Sequence, residues 1–163
     1  MKATKSPLVL EAFFLLENRF KFVQLEEPLE DVQSALFDKY GIDIDFTTRV
    51  ISPEHDSKQV FDVFTKIGIN NLKQPLAGYS IFLEGVGRYI LDKGAVPEKE
   101  VENLKNLSAL TMSIGLLRGI LMDITSNAPM GKYILPSIAV FDLIKEKTNR
   151  KKRKSKPKNS IEE

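Results

Sequence analysis

The single histidine, His55, stands in "SPEHDS" between a proline–glutamate pair and an aspartate. Metal binding or acid–base catalysis asks for a second converging group, commonly another His or a Cys. With one His and no Cys, the chain can build neither a multi-histidine centre nor a thiolate site, a Cys nucleophile or a disulfide framework. The paired carboxylates Asp43/Asp45 and Glu26/Glu27 fit solvated strand and loop faces better than a catalytic dyad. No glycine-rich phosphate loop is present. The expectation is a protein that is not an enzyme and carries no cofactor and no metal.

What remains is electrostatic and apolar chemistry. Residues 145 to 158, "KEKTNRKKRKSKPK", hold nine Lys or Arg and one Glu. Positions 1 to 144 hold 15 basic and 19 acidic residues, a body of net −4 under an overall charge of +2. An acidic body argues against a nucleic-acid-binding fold and leaves residues 148 to 158 as the one candidate contact for a polyanion, be it RNA, anionic lipid or an acidic partner. A solubilising extension is the plain alternative. The composition of 148–163 predicts a disordered tail on a domain covering 1–147.

The elements that position any site come next. "GIDIDFTTRVIS" alternates, with Ile42, Ile44, Phe46, Thr48 and Val50 on one face and Asp43, Asp45, Thr47 and Arg49 on the other. "KQVFDVFTKIGIN" and "GYSIFLEGVGRYIL" read as two more strands, and "SPEHDS" as the turn of a hairpin. The run "LVLEAFFLLENRFKFV" reads as a strand buried on both faces, followed by a partly helical crossover, "QLEEPLEDVQSALFDKYG". "GAVPEKEVENLKNLSALTMSIGLLRGILMDITSN" predicts one long helix, with Pro97 in its first turn and Leu107, Leu110, Ile114, Leu117, Leu121 and Ile124 in a stripe. Gly115 and Gly119 each cost about 1 kcal/mol relative to Ala inside a helix. Close approach of another backbone, a local bend or packing on the chain's own sheet could each offset that cost. Pro129 ends the helix, and Pro136 is expected to restart one over "PSIAVFDLIKEK". The fold class is α+β, a four-stranded antiparallel sheet with one long and one short C-terminal helix. With no run of eighteen apolar residues and no leader pattern, a cytoplasmic protein is expected.

Three stretches resemble the SecB family of protein-export chaperones. They are "FLEGVGRYIL" before the long helix, Arg118 within "LLRGIL", and the closing "ILPSIAVFDLI". The resemblance spans about residues 8 to 145. It departs in having Ala139 and Val140 ahead of Phe141, "TMSIG" where the family has "FPY", and a basic rather than acidic tail. The resemblance implies a homotetramer, a dimer of dimers joined through the long helices, with Leu110, Ile114, Gly115, Leu117, Gly119 and Leu121 at the interface. It implies ATP-independent binding of unfolded polypeptide by Leu36, Phe37, Tyr40, Phe46, Met112, Tyr133 and Phe141. The role would be keeping preproteins export-competent, with the SecA motor as partner, or guarding a toxin–antitoxin pair. A nucleic-acid-associated adaptor acting through the basic tail is the competing reading.

Overall fold

Strict alternation over fifteen residues makes Gly78–Asp92 the central strand: Tyr79, Ile81, Leu83, Tyr89 and Leu91 are buried on one face, while Phe82, Val86, Arg88 and Ile90 are half-buried on the other. The structure, a computed structural model, describes residues 2, 4–27, 29–51 and 57–154, with side chains through 150. The strands are β1 (Leu8–Val23), β2 (Ile42–Val50), β3 (Lys58–Ile69) and β4 (Gly78–Asp92), in one antiparallel sheet of order β1-β4-β3-β2. The crossover from β1 to β2 carries a single helical turn, α1 (Val32–Ala35), whose Asp31 cap accepts from the Ser34 N–H, and then a 3₁₀ turn over Phe37–Lys39. The β2–β3 hairpin is present; its turn, with His55, lies outside the described residues.

One face of the sheet is covered by a helical run in three parts. These are α2 (Glu98–Asn103), a π turn at Leu104–Ser108, and α3 (Ala109–Thr125). Pro97 is the N-cap itself rather than a first-turn residue, and Glu98 and Glu100 sit where the helix dipole favours acids. Leu110, Ile114, Leu117 and Leu121 are buried against β3 and β4. The approach is tight at Gly85, where a Cβ would lie 3.2 Å from Leu117 Cδ2 and 2.5 Å from Phe13 Cζ. The Tyr89 hydroxyl donates to the Ala109 carbonyl at 2.9 Å and lies 2.7 Å from Ser113 Oγ, so a buried polar group is satisfied within the contact. Although no uninterrupted apolar run of eighteen occurs, Glu98–Thr125 is long and apolar enough to cross a membrane by length and composition. Its stripe Leu110, Ile114, Leu117 and Leu121 lies on the sheet.

Two expectations about the ends of the chain need correction. Strand β1 is not buried on both faces. It is an edge strand hydrogen-bonded only to β4, with register shifts at Leu10/Ala12 and Leu15/Glu17, and only Leu8 is buried. Phe14 is 57% exposed, and Val9, Leu15, Leu16, Phe20 and Phe22 are exposed as well. The helix rests on the middle of the sheet and leaves this edge uncovered. At the other end, Pro136 does not start the last helix. The helix α4 begins at Val140 and runs to Lys154, through part of the stretch read as disordered. Cations favour the C-terminal turn of a helix, which accounts for basic residues continuing it. Residues 155–163 lie outside the described residues.

The segment between α3 and α4 is pinned instead of helical. The Tyr79 hydroxyl accepts from the Met130 N–H and donates to the Gly131 carbonyl, both at 2.8 Å. Thr125 Oγ1 accepts from the Tyr133 N–H at 2.9 Å, and Arg118 Nη2 donates to the Pro136 carbonyl at 2.9 Å. Those bonds pin residues 130 to 136, just ahead of the stretch 136–139 where a helix was expected and none forms. Tyr79→Phe strips both Met130 and Gly131 of their partner. Its expected cost is about 2 kcal/mol, read by urea unfolding, with proteolysis localised to residues near 131.

On the open face of the sheet, Asp62 keeps a carboxylate only 3% exposed, bonded to Arg88 Nε at 2.9 Å and Arg49 Nη2 at 3.2 Å. The Arg88 hydrogen bond outweighs burial and, with Arg49, holds the carboxyl below its usual range. A lowered folded value means this stabilisation is complete above the ordinary carboxylate pKa of about 4 and is lost as pH falls through the lowered value. Acid unfolding followed by circular dichroism is expected to show a shallower limb in Asp62→Asn. An unchanged limb would assign acid sensitivity elsewhere.

Candidate functional site

Strand β2 is the other edge of the sheet, and its hydrogen bonds say which groups it leaves free. The Asn70 N–H donates to the Gly41 carbonyl and the Ile51 N–H to the Val60 carbonyl, each at 2.9 Å. Odd-numbered residues therefore face β3. In an antiparallel ladder the alternate residues, Ile42, Ile44, Phe46, Thr48 and Val50, turn both N–H and C=O outward. Their side chains also lie on the helix side of the sheet, since they pair with Ile69, Ile67, Thr65, Val63 and Phe61. Apolar side chains and outward-facing backbone thus coincide along one edge.

A cleft of about 330 Å³ opens beside that edge. Strand β2 contributes Phe46, Thr47, Thr48 and Val50, the π turn Lys105 and Asn106, and α4 Ile144, Lys147 and Thr148. The π turn inserts an extra residue into the helix, a device frequent at functional sites. Helix α4 is held across the cleft by Lys147, whose ammonium donates to the Phe46 carbonyl and to Asp45 Oδ1 and sits 4.5 Å above the Phe46 ring. Burial pushes the Asp45 carboxyl up, but the Lys147 hydrogen bond, with Phe46 N–H and Lys66, more than offsets this and holds it below the usual range. The latch is therefore intact above the ordinary carboxylate pKa and weakens as pH falls through the lowered value.

The candidate polypeptide-binding residues divide into three groups. Phe37, Tyr40 and Tyr133 do meet, joined by Tyr79, with ring centroids 5.0 Å apart for Phe37–Tyr133 and 6.1 Å for Tyr40–Tyr133. They are buried, however, so in this chain they are core and not an open surface. Burial, and then the neighbouring Tyr40 and Asp38, push the Tyr133 hydroxyl up to about 12. Leu36 is half-buried beside them. Phe46 alone of the seven lines the cleft. Met112 and Phe141 are exposed, Phe141 at 59% with Lys145 Nζ 4.3 Å over its ring. The candidate interface residues also separate. Leu110, Ile114, Leu117 and Leu121 face the chain's own sheet and are not available to another copy, because the heptad stripe is what covers β3 and β4. Gly115 and Gly119 are exposed, with nothing within 4 Å of where a Cβ would stand.

Sequence reasoning missed Lys147, Lys105 and Ile144 as cleft residues and Tyr79 as the hub of the aromatic cluster. The available signal was an apolar residue three positions before a lysine, Ile144 and Lys147, on one helix face. Among the described residues no group of three His, Cys, Asp or Glu could hold a metal ion.

A four-stranded antiparallel sheet in this order, with a long helix over one face and a C-terminal helix at the β2 edge, is a SecB-like α+β fold. Among solved structures the chain is similar in fold to the Rv1957 SecB-like chaperone of Mycobacterium tuberculosis, solved in complex with a ChAD peptide from the Rv1956 HigA1 antitoxin. The TM-score is 0.51 at 14% identity, over 80% of this chain and 90% of that one. A protein of unknown function from Streptococcus agalactiae aligns at TM-score 0.46 and 12% identity over 80% of this chain and 97% of that one. No family model matches the sequence, and no curated protein matches it by sequence. At these identities the likeness is one of fold.

Proposed function

We propose that this protein is an ATP-independent holdase chaperone of the cytoplasm that captures unfolded or extended polypeptide in the cleft beside β2. The observation that carries this reading is the outward-facing Phe46 carbonyl, now capped by Lys147. An extended client can take its place by adding a strand to β2, using backbone bonds for affinity and apolar side chains for fit. The exposed aromatic and methionine side chains Phe141, on α4, and Met112, on α3, suit clients of varied shape. Holding unfolded chains follows from mass action without nucleotide.

The test is suppression of aggregation of a chemically unfolded client, without nucleotide, by stoichiometric protein. Aggregation at the uninhibited rate sinks the proposal. Phe46→Asp, which puts a charge at the cleft floor, is expected to weaken capture at least tenfold while circular dichroism stays that of the parent.

The fold neighbour's antitoxin peptide favours a second form of the same reading, a chaperone dedicated to a toxin–antitoxin pair. In the export form SecA is the receiving partner; in the antitoxin form it is not. Assembly into a homotetramer belongs to the proposal, now through the uncovered side of α3 at Gly115 and Gly119 and the bare apolar edge of β1. In an isolated chain, Gly115→Ala with Gly119→Ala stabilises α3 by roughly 1 kcal/mol per site. If helices of two copies meet there, the same pair of changes lowers the mass seen by light scattering, and an unchanged mass rejects that interface.

A further inference from the structure

The charges around the cleft are distributed unevenly, and this bears on which polypeptides it takes. Lys105 and Lys147 are the sheltered halves of their ion pairs, 18% and 23% exposed, while the partners Glu102 and Asp45 are 67% and 69% exposed. Both lysines line the cleft, whereas neither Asp45 nor Glu102 does. Among the described residues the cleft lining contains no acidic residue, and its other polar side chains are threonine hydroxyls and the Asn106 amide. The Lys105–Glu102 contact is long, at 3.4 Å, so little is lost when that ammonium turns to another anion. Beyond the cleft, the backbone of α4 continues to Lys154.

On the reading proposed above, we infer that the cleft selects extended client segments that carry Asp or Glu among aliphatic residues. A client carboxylate would displace Asp45 and Glu102 from the two lysines, while its neighbours cover Phe46, Val50 and Ile144. The swap exchanges a solvent-exposed partner for one held inside the cleft, where a charge-assisted bond is screened less. A phosphate polymer is the less fitting occupant. The apolar floor has no counterpart in a sugar–phosphate chain.

The experiment uses the full-length protein and three labelled peptides, alike except for two central positions carrying Asp, Asn or Lys, with binding followed by fluorescence anisotropy. The Asp peptide is expected to bind about tenfold more tightly than the Asn peptide, the scale of one charge-assisted hydrogen bond. The Lys peptide is expected to bind weakest, and the gaps should narrow as salt rises. Lys105→Gln, which leaves the Lys147 latch in place, should shrink the Asp preference without abolishing binding of the Asn peptide. Equal binding of all three peptides, or tighter binding of the Lys form, overturns the charge preference and leaves the holdase reading standing. Binding of none of them overturns both. Displacement of the Asp peptide by a short single-stranded oligonucleotide at comparable concentration also overturns it, since the site would then recognise phosphate.

Discussion

Gly78→Ala is expected to lower the stability of the fold by about 3 kcal/mol, through two separate costs that meet at one atom. Gly78 has φ of +94°, a region that favours glycine, and its Cβ would stand 2.1 Å from the Tyr40 hydroxyl. That hydroxyl cannot simply move aside. It donates to the Ala77 carbonyl at 2.8 Å and accepts from the Tyr79 N–H at 2.9 Å, tying the crossover to the start of β4. Backbone strain costs about 1–3 kcal/mol, and a buried N–H left without its acceptor costs a similar amount. For a domain of this size the melting temperature should fall by about 10 °C. Urea unfolding of the single variants and of Gly78→Ala with Tyr40→Phe checks the origin. With the hydroxyl already gone, the alanine should cost less than it does alone, and strict additivity would contradict the shared-atom account.

The second large effect lies where α3 meets the sheet. Leu117→Ala is expected to cost about 3 kcal/mol, the usual price of removing a fully buried leucine when its surroundings collapse only partly. Gly85→Ala adds volume at the same contact, against Leu117 Cδ2 and Phe13 Cζ, and is expected to cost about 1–3 kcal/mol by overpacking. Combined, the two changes should be less harmful than their sum by about 1 kcal/mol, because the new methyl group occupies space the leucine vacates. A coupling near zero in a double-mutant cycle would mean that Phe13, and not Leu117, sets the clearance at Gly85.

Comparison of particular elements shows how much was legible beforehand. The alternation through β2, β3 and β4 was readable, as were the long helix and its break near Pro129, because period-two and helical patterns are written in neighbouring residues. The apolar run of β1 marked a strand but not its surroundings: Phe14 and Leu16 look like core in the sequence and stand at an open edge in the fold. The stripe Leu110–Ile114–Leu117–Leu121 was legible as a buried face, and its partner was not. Packing on a sheet and packing on a second helix ask for the same spacing. Of the seven candidate binding residues, Phe46 reached the cleft, while Phe37, Tyr40 and Tyr133 closed on one another as core. The spacing of Ile144 and Lys147 put both on one helix face but could not name what they meet, since Lys147 acts on Asp45 and Phe46, about a hundred residues earlier in the chain.

By itself the sequence determined the strands and helices, the absence of cysteine and multi-histidine chemistry, and the opposed charges of body and C-terminal end. These depend on residue type and short-range spacing alone. Only the tertiary structure decided which apolar faces are covered, which edges lack an outer strand, and which lysines line the cleft. The order β1-β4-β3-β2 makes strands distant in sequence into neighbours and leaves β1 and β2 without an outer one. Burial and hydrogen bonding are set by those neighbours and not by the residue's own pattern.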